Sequence, residues 1–403
     1  MKKLISAAAV LGAVCVAGPA GAAGFQIDVL SGRGTGMAAA MTANVDDASS
    51  IFYNPAGMAR GEHFDIELGD TLIIPSFTFT PASGGSSFNT EGEVIPPPHV
   101  YFSYGATDDI TFGIGEFSEY GSQLSWPDGS PPAFVAQHVT LQTFNINPSV
   151  AFRLGDRVRV GVGVQVVRSV VELRQNLNFL DLGIGSVDLG ASAWGAGGNI
   201  GVQVDILPKM LTLGVHYRSQ VSLNFDDGKA HFDNVPVEFA TQLQDQPGTT
   251  EITLPDTVQL GVSFKPVDSL TLSFDADYTA WQHMTGIALA FQDPSLSQTS
   301  VKNWHHTWNY HLGAEYALSS NLTLRAGVLY DPTPSPQETV APDLPDSTRV
   351  NIALGGGYKV GGFKVDLGYQ LVLITTNSST FAPLPGDYKG IAHVVALTLG
   401  FGK

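Results

Sequence analysis

A chain of 403 residues with 20 basic and 37 acidic side chains carries a formal charge of −17, which excludes nucleic acid as a partner. Charged residues make up only 14%, well below the roughly 25% usual in a soluble domain, whereas aromatic side chains reach 10% and glycines number 45. The one cysteine, Cys15, lies close to the start, so disulfides, thiolate metal sites and a cysteine nucleophile are excluded from everything downstream.

The chain opens on Lys2 and Lys3, continues through apolar Leu4 to Ala17 and reaches small residues at Ala20-Gly21-Ala22. This pattern predicts a secretory signal peptide over residues 1–22, cut after Ala22. Gly18, Pro19 and Gly21 interrupt the apolar run before it reaches the roughly 18 to 20 residues of a spanning helix. No later stretch attains that length, so export without a helical anchor is expected.

From Ala23 to about Gly61 alanine, glycine, serine and methionine dominate, and alternation of period two is missing. Gly34 to Ala43 predicts a short helix, and Asp46 or Asp47 is expected to cap a second one running through Ala48 to Tyr53. Asn54-Pro55 ends it, because a residue before proline avoids the helical region. A segment this long and this apolar does not suit a free tail, so residues 23–61 are expected to fold as a plug.

Alternation begins near residue 64 and recurs to the end. Between 110 and 121 the apolar phase passes Ile110, Phe112 and Ile114 and then jumps to Phe117, with Gly113, Gly115 and Gly121 nearby, the signature of a bulge or inward kink. Between 140 and 154 the phase holds, but Pro148 removes one ladder donor for no reason visible in the sequence. After Ser269, Leu270, Leu272, Phe274, Ala276, Tyr278 and Ala280 share one face, while Asp275 and Asp277 fall on the other. In 304–318, Trp304, His306, Trp308, Tyr310 and Tyr316 read as an interfacial girdle, with His305, Asn309, His311 and Glu315 facing a lumen. No carboxylate or cysteine is spaced to complete a metal site with these histidines.

Short turns near 107–109, 155–156, 208–209, 265–269, 319–321 and 361–362 take turns with long loops at roughly 82–97, 121–138, 174–192, 225–253, 284–304, 332–346 and 376–390. That order is the layout of an outer-membrane barrel, with short periplasmic turns and longer extracellular loops. About fourteen antiparallel strands over residues 62–403 are expected. The fold class is thus all-β, a transmembrane barrel around a small helical hatch.

The chain also resembles the FadL/TodX family of outer-membrane transporters for long-chain fatty acids and aromatic hydrocarbons. Ala23-Gly24-Phe25-Gln26-Ile27 is similar to the family's mature N-terminus, and the run from Asp46 through Ile51, Phe52, Tyr53, Asn54, Pro55 and Ala56 to Gly57 resembles its hatch signature. Asn147-Pro148-Ser149-Val150, Tyr217-Arg218-Ser219, Leu254-Pro255-Asp256-Thr257, Asp275 to Trp281, Leu324-Arg325-Ala326-Gly327 and Tyr330-Asp331 complete the match. The resemblance implies a fourteen-stranded barrel closed by an N-terminal hatch, with a third strand kinked inward to open a lateral gap; Gly113, Gly115, Phe117 and Gly121 are the candidate residues.

Passive uptake of a hydrophobic small molecule, released sideways into outer-membrane lipid by a monomeric barrel without cofactor, is therefore the expected function. Phe25, Ile51, Phe52, Tyr53, Asn54, Pro55 and Ala56 are candidates for lining or gating. The lumenal charges Arg218, Asp275, Asp277, Glu315, Arg325 and Arg349 are expected either to tether the hatch or to meet a ligand carboxylate. A general porin and an aromatic-hydrocarbon channel are the alternatives. An enzyme is not expected, because neither a G-x-S-x-G elbow nor a P-loop is present.

Overall fold

The computed structural model describes residues 24–403, so the expected signal peptide at 1–22 lies outside the described residues. Fourteen wall strands form a closed antiparallel barrel. They are β1 (Phe64–Pro81), β2 (Pro98–Gly105), β3 (Ile110–Phe117 and, after a break, Gly121–Ser125), β4 (His138–Leu154), β5 (Val158–Asn178) and β6 (Ile184–Leu207). Next come β7 (Leu211–Arg218 continued by Val221–Asp233), β8 (Gln246–Leu254 continued by Thr257–Val267), β9 (Leu270–Thr279) and β10 (Thr307–Ala317). The wall ends with β11 (Leu322–Asp331), β12 (Arg349–Val360), β13 (Phe363–Ser379) and β14 (Gly386–Gly402). β14 pairs with β1 from Asp65 opposite Gly402 to Pro81 opposite Gly386, which closes the cylinder.

Alternation places the side chains as a barrel requires. On β9, Leu272 and Phe274 face outward, while Asp275 and Asp277 are buried inside. The aromatic series overruns its strand, however. β10 starts at Thr307, so the parity does not extend to Trp304, which is buried inside rather than in the girdle; Ala280, one residue past the end of β9, is likewise buried.

The long loops are shorter than the alternation predicts. Expected loop 174–192 is mostly ladder, since β5 and β6 stay paired up to Asn178 opposite Ile184. Strand also occupies part of 225–253 and 376–390, Gly121–Ser125 belongs to β3, and 284–304 contains Gly286–Phe291 paired with Gln298–Val301. In these extensions the apolar residues no longer alternate regularly, so the period-two signal disappears.

Pro148 is also explained. It faces outward on β4, and its missing N–H leaves the Val164 carbonyl of β5 without a ladder partner; the side-chain amide of Asn147 donates to that carbonyl at 2.7 Å instead. Gly163 leaves room, since a Cβ there would come 2.7 Å from the Asn147 amide nitrogen. Asn147→Ala is expected to strand a carbonyl in the wall and cost about 1–3 kcal/mol. The check is a lower urea midpoint in lipid, with Asn147→Asp, which cannot donate, equally low.

Candidate functional site

Residues 24–61 fill the bore. α1 (Gly32–Gly36) is much shorter than the expected 34–43 helix: Ser31 caps it by accepting from the Gly34 N–H at 2.9 Å, and the chain then turns through positive-φ Ala38 and Ala39. α2 (Ser50–Tyr53) begins where Asp47 accepts from the Ser49 N–H, and Asn54 ends it and caps the 3₁₀ turn Pro55–Arg60. Such short helices are marginal alone, so the wall must hold them.

The wall does so first by close approach. At inward-facing Gly214 a Cβ would lie 2.5 Å from the Thr42 carbonyl oxygen, at Gly327 2.6 Å from the Met37 carbonyl carbon, and at Gly355 2.8 Å from the Gly36 Cα. Gly161 and Gly201 admit Pro55 and Asn54 in the same manner. Gly113 and Gly115 lie in the regular part of β3, where they make room for Met58 and Ile51. A ring of glycines thus lets backbone meet backbone.

Polar ties complete the seat. The Asn54 amide donates to the Thr42 carbonyl at 2.9 Å and reaches the carbonyls of Val202 and Val215 at 3.3 Å, while Asp275 accepts from the Thr42 N–H at 2.8 Å. His311 donates to the Ala38 carbonyl at 2.8 Å and stands 3.3 Å from Asp277. Arg33 of the hatch bridges Asp46 (2.6 Å), Asp47 (2.8 Å) and Glu315 (3.2 Å), and Arg325 joins Glu315 (2.7 Å) to Asp366 (2.5 Å). Burial would raise the Asp47 carboxyl, but Arg33, Lys364 and the Ser49 hydroxyl overcome it and hold it at about 2. Arg349 donates to the Gly24 carbonyl at 2.9 Å and pairs with Asp346 at 3.2 Å.

Arg218, almost fully buried, joins hatch to wall. It pairs with Glu119 at 3.2 Å, donates to the Phe52 carbonyl and to Gln165, both at 2.9 Å, and lies 5.3 Å and 5.5 Å from the rings of Phe117 and Phe52. Tyr53 stacks edge-on against Phe52, and its hydroxyl accepts from the Leu30 N–H at 3.2 Å. Ala56 is fully buried beneath them.

The break in β3 is not where the phase jump places it. Phe117 continues the regular parity and faces inward, fully buried; the ladder to β4 then slips by one residue, from Phe117 opposite Asn145 to Gly121 opposite Gln142. Ser118, Glu119 and Tyr120 turn into the bore there. The Ile27 N–H donates to the Glu119 carbonyl at 2.7 Å and the Gly121 N–H to the Phe25 carbonyl at 2.9 Å, so the start of the hatch takes the place of a neighbouring strand. Among the described residues, the Gly121–Ser125 half of β3 pairs with β4 on one side and with no strand on the other.

Two cavities meet at Phe25. One, of about 520 Å³, opens between the extracellular ends of β4 to β8 and is walled by apolar groups such as Leu141, Val171, Leu189, Ile252, Met284 and Ile287. The other, of about 160 Å³, lies between the hatch and the wall, bounded by Gly121–Leu124 of β3 on one flank and by Ile73 and Phe77 of β1 on another. Phe25 lines both, clamped by Tyr120, Trp281 and Trp304 with ring centroids at 5.9, 5.0 and 5.9 Å. Asp28 faces the smaller cavity; burial lifts its carboxyl to about 6, more than His311 and Arg349 lower it. Glu119, Asp28 and Asp346 escape the sequence reading, which also puts Trp304 in the girdle, because nothing local marks an inward position outside a strand.

An outward-greasy cylinder closed by an N-terminal hatch, with a broken third strand beside an apolar cavity, defines a plugged outer-membrane barrel of the transporter class. Residues 13–401 match the model of the outer-membrane transport protein family OMPP1/FadL/TodX, and the chain belongs to that family. It is 28% identical to outer membrane protein P1 of Haemophilus influenzae, over 92% of this chain and 90% of that one. It is 23% identical to the long-chain fatty acid transport protein of Escherichia coli K12, over 83% and 84%. The fold is similar to that of a Pseudomonas aeruginosa FadL homologue (TM-score 0.82, 18% identity, 94% and 100% covered) and of the P. putida toluene transporter TodX (0.75, 15%, 92% and 97%). The protein is an outer-membrane protein of a family of transport channels.

Proposed function

We propose that this protein lets small hydrophobic molecules cross the outer membrane by diffusion, with residues 23–61 as the hatch and release sideways into lipid through the break in β3. The single observation that carries the reading is the position of Phe25, which divides an apolar extracellular cavity from a second cavity flanked by the broken strand. Lateral release suits such a passenger, because each CH₂ gains about 0.8 kcal/mol on entering hydrocarbon and would lose it in water. Ile51, Phe52, Tyr53, Asn54, Pro55 and Ala56 serve this reading by keeping the hatch seated, so that the bore stays closed to water. The named relatives, a long-chain fatty acid transport protein and a toluene transporter, are of the same kind. No cofactor or second subunit enters the scheme.

Three residues, 118–120, oppose two on β4, so removing one restores a continuous ladder. Deleting Ser118 is expected to abolish uptake of a fluorescent fatty acid into cells while the barrel still shows its heat-modifiable electrophoretic shift. Undiminished uptake by a folded deletion variant sinks lateral release.

A further inference from the structure

Residues 93–98 bridge the side opening. They lead into β2 with its alternation already in place: Val94, Pro96 and Pro98 are exposed on the outer face, while Ile95 and Pro97 turn inward. Ile95 lines the smaller cavity together with Ile73 of β1 and Gly121–Leu124 of β3. This one extended segment therefore separates the cavity from the outside of the barrel.

Its two edges are held very differently. Toward β1, Ile95 exchanges both backbone bonds with Ile73 at 2.8 Å, and the Thr71 N–H donates to the Pro97 carbonyl at 3.3 Å. Alternate residues of an extended chain aim their backbone groups to opposite sides, so positions 94, 96 and 98 face β3. Two of those three are prolines and have no N–H to give. Among the described residues no hydrogen bond joins 94–98 to β3, and the ladder between β2 and β3 begins only at His99 opposite Phe117. Proline also keeps the residue before it extended, so Ile95 to Pro98 is stiff and moves as a unit.

The β3 side is fastened at the upper end alone. The Glu93 carboxylate accepts from the Gln123 amide at 2.7 Å and from the Ser125 hydroxyl at 2.8 Å, and the Glu91 N–H donates to the Ser125 carbonyl at 2.9 Å. Ser125 has one hydroxyl hydrogen, and it is directed to Glu93. His138 Nδ1, 2.8 Å away, therefore donates to Ser125, and its Nε2 accepts from the Thr140 hydroxyl at 2.8 Å. β4 thus orients the Ser125 hydroxyl toward Glu93.

We propose that residues 93–98 are a gate across the side opening and that Glu93 is the residue that positions it shut. When the Glu93 contacts part, the segment swings on its β1 edge away from β3, and a slot opens from the smaller cavity to the surrounding lipid. One backbone bond, from Glu91, parts with them, and every ladder of the wall stays intact. The inference rests on the lateral-release reading and adds what controls that exit.

The test uses the full chain in cells, where the only native cysteine, Cys15, lies in the expected signal peptide. Glu93→Cys with Gln123→Cys, joined by a short reducible bis-maleimide, is expected to cut uptake of a fluorescent fatty acid at least fivefold, and reduction is expected to restore it. The same reagent on Glu93→Cys alone controls for its bulk and should leave uptake at or above wild type. Glu93→Ala, which frees the segment without any reagent, should raise the initial rate at least twofold. Unchanged uptake by the joined and folded barrel, a loss that the single-cysteine control shares, or a rate in folded Glu93→Ala no higher than wild type overturns the gate. If deletion of Ser118 still abolishes uptake, lateral release stands without it; if uptake survives both the joining and the deletion, lateral release falls as well.

Discussion

Arg218→Leu is expected to free the hatch from the broken strand. The guanidinium is 2% exposed and has the Glu119 carboxylate, the Phe52 carbonyl and Gln165 as partners, with two aromatic faces against it. Removing it leaves the Glu119 carboxyl enclosed and without its ion-pair partner, and breaking a buried pair from one side costs about 3–5 kcal/mol. The loss falls on the contact between residues 48–57 and the 118–120 break, because the outward face of the barrel is untouched. Hydrogen exchange in lipid should therefore show residues 48–57 exchanging much faster while the strands stay protected. Adding Glu119→Gln removes the unpartnered carboxyl, and partial recovery of protection is expected. Equal exchange in the single variant and wild type would show that the hatch is held elsewhere.

The second large effect is expected at Gly327. Its missing Cβ would lie 2.6 Å from the Met37 carbonyl carbon and 2.8 Å from the Ala38 nitrogen, both hatch backbone that cannot swing aside. Gly327→Val should overpack the seat by about 1–3 kcal/mol and lift the hatch, while Val328 and its outward neighbours keep their lipid contacts. In planar bilayers the wild type is expected to stay closed and the variant to show long-lived conducting steps. Gly356→Val is the control, since the nearest atom to its Cβ is the Thr323 oxygen at 3.6 Å. Steps of equal size in the control would trace the leak to general loosening of the wall.

Parity was enough to read much of this architecture in the chain. Leu272 and Phe274 against Asp275 and Asp277 already separate lipid from lumen, and the short turns fix which end faces the periplasm. It fails for definite reasons. Above the membrane, residues such as Arg174, Gln175 and Asn176 remain in the ladder with no greasy face to betray it. Phe117 breaks the pattern of outward apolar side chains because it packs in the bore against Phe52 and Arg218. The lumenal charges are legible as inward, but their partners are not: Asp275 meets Thr42 across 233 positions of chain, a distance that no local signal spans. The ring of glycines stands in plain view within the polar phase of its strands, as at Gly327 and Gly355, and its meaning depends on what lies opposite.

One tie bears on how the molecule comes together. The Gly32 N–H donates to the Thr398 hydroxyl at 2.8 Å, a contact between residues 366 apart, and β14, which carries Thr398, is also the strand that zips onto β1. This tie can thus form only when the last hairpin arrives. Contacts of such long separation form slowly, since their loop entropy is lost before they repay it. The strand that seals the cylinder therefore also completes the hatch's seat, so closure of the wall and the last fastening of the plug are one event.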